Sequence, residues 1–199
     1  MIWESAPWKD QLLRDAEIIE RWAAKTRHSQ RRDILLEQKM MLAAYIIRKL
    51  AHSHKLSNAT IESPIRCTEY RAKSDFITIA NNHKIDQNYD LEEPSETTIP
   101  AIRMVNSIIH SHSFTLSTDE SNTILGFLVT SDFDRRKSIR AIDLTEFITF
   151  MRLVGNDYPS VAVQVFDADL GDYRVWQGNG EPPEEFAREL RHKNRARRD

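Results

Sequence analysis

The stretch TILGFLVT, residues 123–130, decides the fold class of this chain. It is apolar on both faces, which is typical of a strand that is covered on two sides inside a sheet. Phe114–Ser117 and Ser138–Ile142 have β-like patterns on either side of it. We therefore expect a mainly antiparallel sheet over residues 123–177, with residues 123–130 as an internal strand.

A helix and a hairpin are predicted in the same part of the chain. Asp143-Leu-Thr-Glu146 has the pattern of a capping box, and it opens a helix that ends at Gly155. Val161–Phe166 and Tyr173–Gln177 flank the polar sequence DADLGD and predict a β-hairpin. Gly171 supplies the permissive backbone that the turn of this hairpin requires.

The N-terminal part has helical periodicity. Apolar side chains from Trp8 to Ala23 recur at helical spacing and predict a helix over residues 7–25. Asp33 can cap a second helix over residues 33–54, in which the sequence MMLAAYII is apolar nearly all round. We expect the two helices to pair antiparallel, with four side chains of the second helix largely buried: Met41, Leu42, Tyr45 and Ile46.

A less regular segment, residues 57–98, separates this pair from a third helix. Ile65–Tyr70 and Phe76–Ala80 are candidate strands within the segment, and a polar connector without periodicity follows them. Thr98 can then cap a helix over residues 99–111.

These elements predict an α+β fold, in which an N-terminal helical hairpin or bundle precedes a small, mainly antiparallel sheet with one packed helix. We expect residues 1–113 to form the helical part, residues 114–180 the β-rich part of the same compact unit, and residues 181–199 a basic C-terminal tail.

Composition excludes several classes of protein. The formal net charge of -2 gives no global field that would attract nucleic acid or a membrane. Cys67 is the single cysteine of the sequence, which excludes an internal disulfide and fits a reducing compartment. The first residues lack a signal-peptide pattern, and the longest apolar run is too short to span a bilayer. We expect a cytoplasmic protein without membrane contact. No cofactor is predicted, since the sequence has no GxGxxG, Walker loop or GxSxG elbow.

The best candidate site lies in IPAIRMVNSIIHSH, residues 99–112. On a helix, Arg103, Asn106 and His110 fall at i, i+3 and i+7 and share one narrow stripe. A cation, an amide and an imidazole on one ridge suit phosphodiester chemistry. Arginine binds phosphate, histidine moves a proton near neutral pH, and asparagine can fix the imidazole.

Around these residues the chain resembles the HEPN superfamily of helical bundles, which includes metal-independent ribonucleases and inactive nucleotide- or RNA-binding relatives. The resemblance covers this helix and the preceding helical pair. Active members usually carry Arg directly before the Asn, where this chain has Val105, so either Arg103 substitutes from one turn earlier or the site is degenerate. The resemblance implies an RNA- or nucleotide-interacting homodimer. If it is active, His110 would be the general base toward a ribose 2′-hydroxyl, and Arg103 would stabilise the pentavalent phosphate.

Two other functions stay open at the level of sequence. The first is a non-catalytic protein that binds another protein through its helices and hairpin, with Asn106 and His110 supporting packing. The second is a metal hydrolase, because His110 and His112 form an H-x-H pair like that of JAMM-type zinc hydrolases, with Asp119 following. A third ligand with recognisable spacing is missing, so we expect no bound transition metal.

Three basic clusters complete the sequence-based picture. They are RHSQRR at residues 27–32, FDRRKSIR at residues 133–140 and the tail ARELRHKNRARRD. Each is typical of solvated surface, and each would contribute to nucleic acid binding only if folding brings it to the face with Arg103 and His110.

Overall fold

A five-stranded antiparallel sheet forms the centre of the computed structural model, which describes residues 2–27, 29–184, 186 and 188. The predicted α+β fold class is confirmed. The strands follow the order β2-β1-β5-β4-β3 across the sheet, and every neighbouring pair is antiparallel. Their bounds are β1 Pro64–Arg71, β2 Ser95–Pro100, β3 Ser111–Thr118, β4 Ile124–Ser131 and β5 Ser138–Asp143.

The predicted internal strand is confirmed as β4, which pairs with β3 on one side and β5 on the other. Phe127 on β4 is fully buried, with its ring stacked on Phe114 at 5.2 Å between centroids and edge-on to Phe147 at 5.6 Å. A side chain at Gly126 would place its Cβ 2.3 Å from the Ile142 carbonyl oxygen of β5. This close approach of the two strands therefore requires glycine.

The helices form two layers over one face of the sheet. α5 (Ala101–Ile109) and α6 (Leu144–Gly155) lie against β4, and α1 (Ala6–Ala23) and α2 (Gln30–His52) pack mainly on α6 and α5. The predicted pairing of the first two helices is confirmed, since a short turn joins them and they contact each other. Two single-turn helices, α3 (Asn58–Ile61) and α4 (Ile85–Asn88), lie in the connections. Among the described residues, no helix is both long enough and apolar enough to cross a bilayer.

The expected burial of α2 on all sides is wrong in two of four positions. Ile46 is buried and Met41 is half-buried, but Leu42 and Tyr45 are 59% and 49% exposed. Packing against α1 and α5 covers one side of α2 and leaves the opposite stripe in solvent. The N-terminal cap of α2 is also different from the expected one, because the Ser29 hydroxyl, and not Asp33, accepts the hydrogen bond from the Arg32 N–H.

The segment between α2 and α5 contains one confirmed strand and one wrong prediction. β1 matches the expected strand over residues 65–70, but residues 76–80 are irregular, with Phe76 and Ile79 largely exposed. The second strand of this segment is instead the polar β2, which pairs with β1 at the sheet edge. Since Thr98 belongs to β2, the third helix begins at Ala101 and not at residue 99.

Part of this segment covers the second face of the sheet. Tyr89 and Ile77 pack there with Ile139 of β5 in a small core cluster of their own. The Tyr89 hydroxyl donates a hydrogen bond to the Arg135 carbonyl at 2.9 Å. The segment therefore supports the turn between β4 and β5 from the face of the sheet that the helices do not cover.

The predicted hairpin is confirmed as β6 (Val161–Asp167) and β7 (Asp172–Gly178). It forms a two-stranded sheet of its own and not, as expected, part of one sheet over residues 123–177. Gly171 has a positive φ of 64° in its turn, a conformation that its permissive backbone allows. Asp143 stands at the N-terminal cap of α6 but makes no capping hydrogen bond with its side chain. Glu146 instead accepts a hydrogen bond from Arg66 Nε at 2.8 Å.

The sheet draws on both predicted parts of the chain. β1 and β2 precede residue 113 and join β5 of the β-rich part through the β1–β5 pairing. Most of the predicted basic tail, from residue 189 onward, lies outside the described residues.

Candidate ligand-binding cleft at the end of α5

Arg103, Asn106 and His110 line one open cleft of about 710 Å³, which we call the histidine cleft. The helical stripe expected from the sequence thus faces a common space. The opposite wall is the turn that follows β4, and the remaining lining residues are Ser107, Ser131, Asp132, Phe133 and Asp134.

Backbone hydrogen bonds hold the two walls together. His110 is the C-terminal cap of α5, which ends at Ile109 and not at residue 111 as predicted, because β3 begins at Ser111. The His110 N–H donates to the Asn106 carbonyl at 2.9 Å. The His110 carbonyl in turn accepts from the Asp132 N–H at 3.2 Å. The turn is closed by the Asp134 N–H, which donates to the Ser131 carbonyl at 3.2 Å and to the Ser131 hydroxyl at 3.1 Å. The mouth of the cleft is therefore defined by main chain and not by side-chain placement alone.

A network of ion pairs lies under the cleft. Asp134 contacts Arg103 at 3.3 Å and Arg140 at 3.1 Å, and Arg140 also contacts Glu69 at 2.9 Å. The Asp134 and Arg140 side chains are only 5% exposed, whereas Arg103 is 50% exposed. Burial alone would raise the pKa of Asp134, but hydrogen bonds and charge from Arg140 and Arg103 lower it below its ordinary value. Arg103 therefore stays at the surface with part of its charge already compensated.

His110 and Asn106 are not joined through their side chains. The imidazole of His110 is exposed and has no hydrogen-bond partner among the described residues. Asn106 Oδ1 is buried and likewise lacks a partner within the described part of the chain. A buried amide oxygen without a donor is unusual and is able to accept a hydrogen bond from a water or ligand.

Phe133 is a cleft residue that sequence reasoning missed. Its side chain is 80% exposed, and Lys137 Nζ lies 4.3 Å from its ring centroid. The available signal was an aromatic residue inside the charged sequence FDRRKSIR, where nothing local predicts a core role. Arg103 and His110 line the facing wall, at α5 and its C-terminal cap. Only the fold therefore brings these two side chains close to Phe133.

The residues proposed for a metal site do not converge. His112 lies on β3 with its side chain 6% exposed, and its Nδ1 is 3.4 Å from Asp132 Oδ1. Asp119 lies beyond the opposite end of β3, where its carboxylate accepts hydrogen bonds from Ser121 and Thr123. Over residues 2–27, 29–184, 186 and 188, no group of three or more His, Cys, Asp or Glu side chains could hold a metal ion.

The two described basic clusters are separated in the fold. Residues 133–140 form the turn beside the histidine cleft and the start of β5, although Arg140 is buried there. Of the first cluster, Arg27 and residues 29–32 lie at the α1–α2 turn, where Arg32 donates to the Asn122 carbonyl at 3.1 Å. Asn122 belongs to the β3–β4 turn, at the opposite end of that hairpin from Ser131. The cluster at residues 27–32 therefore does not extend the histidine cleft.

No family model, curated protein or solved structure matches this chain. The resemblance to the HEPN superfamily accordingly stays a prediction, and the function rests on the chemistry of the described side chains.

Proposed function

We propose that the histidine cleft binds single-stranded RNA, with one nucleotide seated between α5 and the β4–β5 turn. The observation that carries this proposal is that Arg103, His110 and the exposed ring of Phe133 line one open cleft. Unpaired bases stack on exposed aromatic rings, while arginine and histidine contact the phosphate. Asn106 also lines the cleft, although its Oδ1 is buried, so the proposal rests on the other three side chains.

Acidic side chains in the cleft limit the affinity. Asp134 is committed to Arg103 and Arg140, but Asp132 has a 73% exposed side chain and repels phosphate. Arg135 is paired with Asp132, which reduces that repulsion. We expect a modest affinity that falls as the salt concentration rises.

Binding is the central proposal, and metal-independent cleavage is its stronger form. Cleavage would use His110 as the general base toward the ribose 2′-hydroxyl and Arg103 to stabilise the phosphate. A general base works best when another group orients it, and the described residues offer the His110 imidazole no such partner. The geometry therefore favours binding over turnover.

The first test is a Phe133→Ala variant, assayed by fluorescence anisotropy with a labelled single-stranded RNA. Loss of one stacked base lowers affinity by about tenfold, since such stacking contributes about 1–3 kcal/mol. Phe76→Ala is the matched control, because Phe76 is 77% exposed but does not line the cleft. Equal affinity of both variants and the wild type would contradict the proposal.

The second test is His110→Ala, which separates binding from cleavage. The side chain is exposed, so we expect the free energy of unfolding to change by less than about 0.5 kcal/mol. RNA is incubated with the wild type and the variant in the presence of a chelator, and the products are resolved on a gel. Cleavage by the wild type that the variant loses would support the ribonuclease form of the proposal. RNA that stays uncut with the wild type would contradict that form and leave RNA binding as the proposed function.

A non-catalytic protein-interaction role is the second candidate function. One observation favours it: Ile34, Leu42 and Tyr45 form an exposed apolar stripe along α2, away from the histidine cleft. Leu42→Asp should then abolish self-association of the chain in sedimentation analysis while RNA binding stays unchanged. A wild type that is monomeric at high concentration would remove the support for a homodimer through this face.

A further inference from the structure

A second cleft of about 440 Å³ opens at the turn between α1 and α2, and we call it the basic cleft. Seven described residues line it: Trp22, Lys25, Arg27, Ser29, Arg31, Arg32 and Leu35. Four of them are cations, and none of the seven is acidic. The electrostatic potential of the cleft is therefore positive although the chain as a whole is not basic.

Three of the cations are available to a ligand. Lys25, Arg27 and Arg31 are exposed, and within the described part of the chain none of them forms an ion pair. Arg32 has a different role, because its side chain is 7% exposed and bonds to Asp33 and to the carbonyls of Lys25 and Asn122. Arg32 thus fixes the turn, and the other three present charge at its surface.

An apolar wall accompanies these charges. Trp22 is half-buried, packs against the main core and lines the cleft, and Leu35 is half-buried beside it. A fixed indole ring next to cations offers a stacking surface for a planar heterocycle. An inorganic anion would use only the cations, whereas a nucleotide would use the cations for its phosphates and the indole ring for its base.

We propose that the basic cleft binds a nucleoside triphosphate, with the phosphates on Lys25, Arg27 and Arg31 and the base against Trp22. Three cations that line one small cleft match a compact polyphosphate, whose charges are concentrated on neighbouring groups. The cleft volume lies in the range of small-molecule sites. The end of α2 is not the basis of the site, since the Ser29 hydroxyl already accepts the Arg32 N–H there.

The site is independent of the proposed RNA-binding function. Arg32 anchors the basic cleft to the β3–β4 turn, and the histidine cleft begins at the other end of the same hairpin. An eight-residue strand such as β4 spans about 25 Å. A mononucleotide at one cleft therefore cannot reach the other.

The test is a titration of tryptophan fluorescence with ATP at low ionic strength. We expect saturable quenching that Trp22→Phe removes, competition by inorganic triphosphate, and no effect of adenosine at the same concentration. The double variant Arg27→Glu with Arg31→Glu should weaken binding by at least about tenfold. The milder Arg31→Gln variant should weaken it several-fold, and it covers the case in which the double variant folds poorly.

Two controls make the result specific to the basic cleft. Arg48→Glu with Lys49→Glu reverses the same number of charges near the other end of α2, at exposed positions, and should leave the affinity within about twofold. His110→Ala should leave it equally unchanged, because that residue lines the histidine cleft.

Three outcomes would overturn the proposal. The first is an equal loss of affinity in the two charge-reversal variants, which would show a response to net charge only. The second is the absence of saturable quenching in the wild type. The third is displacement of ATP by an RNA oligonucleotide that binds more tightly and whose binding is lost in the Arg27 and Arg31 variants. The basic cleft would then be an RNA site.

Discussion

The histidine cleft and the basic cleft both carry arginine and an aromatic side chain, but the fold uses their charges in opposite ways. In the histidine cleft, Arg103 contacts Asp134, which is itself bound to the buried Arg140. In the basic cleft, Arg27 and Arg31 are exposed and without an ion pair among the described residues. The same residue type therefore builds the wall of one cleft and remains free at the mouth of the other.

This difference follows from where the residues lie in the chain. The histidine cleft joins α5 to a turn more than twenty positions later, and such a joint needs polar contacts that satisfy its buried charges. The basic cleft lies within a short connection between two helices that already pack on each other. Its outer cations are not needed to hold the connection, so they are available to a ligand.

The largest expected effect comes from Asp134→Asn, which breaks the network under the histidine cleft. The change leaves Arg140, 5% exposed, with Glu69 as its remaining ion-pair partner among the described residues. We expect a loss of about 3 kcal/mol in the free energy of unfolding, measured by urea denaturation at neutral pH. Because the pKa of Asp134 is lowered in the folded protein, this contribution is present above about pH 4 and is lost as the pH falls below it.

The control for this prediction is Asp132→Asn in the same turn. The Asp132 side chain is 73% exposed, so its replacement should cost less than about 1 kcal/mol. An equal free energy of unfolding for the two variants would contradict the prediction, because Asp134 would then support the fold no more than the exposed Asp132.

A smaller effect is expected inside the basic cleft, where Arg32→Ala and Arg31→Ala should differ. Arg32 is buried and donates to the carbonyls of Lys25 and Asn122, so its removal leaves both without that donor. We expect Arg32→Ala to cost about 2 kcal/mol and Arg31→Ala less than about 0.5 kcal/mol in chemical denaturation. A comparable cost for both would mean that the exposed arginine also supports the turn.

The same contrast explains what could be predicted from sequence. Arg27, Arg31 and Arg32 stand close together in the sequence RHSQRR, so their shared place in the basic cleft could be expected from the sequence. Helical spacing likewise placed Arg103, Asn106 and His110 on one stripe. Phe133 and Asp134 could not be assigned to that stripe, because their approach depends on the pairing of β4 with β5.

The errors in the fold also arise from information that is not local. The sequence SETTIP is polar, and it becomes β2 because β1 offers an unpaired edge. Phe76–Ala80 is apolar enough for a strand, yet it pairs with no strand of the sheet. Ile77 packs against Tyr89 and Ile139, while Phe76 and Ile79 are exposed. Leu42 and Tyr45 continue the apolar pattern of α2, but α1 and α5 cover only the opposite side. In each case the partner decides the outcome, and the partner is distant in sequence.

The smallest expected effect concerns Tyr89, which supports the wall of the histidine cleft from the second face of the sheet. Its hydroxyl donates to the Arg135 carbonyl at 2.9 Å, in the turn that follows β4. Burial raises the pKa of Tyr89 to about 12, although Thr130 and Arg135 act in the opposite direction. A phenol whose pKa is raised in the folded state stabilises the protein fully below pH 10, and this contribution is lost as the pH rises toward 12.

Tyr89→Phe tests this contribution, because phenylalanine keeps the packing and cannot ionise. At pH 8 the variant should be less stable than the wild type by about 1 kcal/mol, since the Arg135 carbonyl loses its donor. By pH 11 the unfolded wild type gains about 1.4 kcal/mol from ionisation of the free phenol, so the two proteins should become nearly equal in stability. The measurement is urea denaturation of both proteins at pH 8, 10 and 11, in which the other titrating groups cancel between them. A stability difference that stays constant across this range would contradict the prediction, because Tyr89 would then ionise as readily in the folded protein as in the unfolded chain. The β4–β5 turn would in that case be open to water from the second face of the sheet.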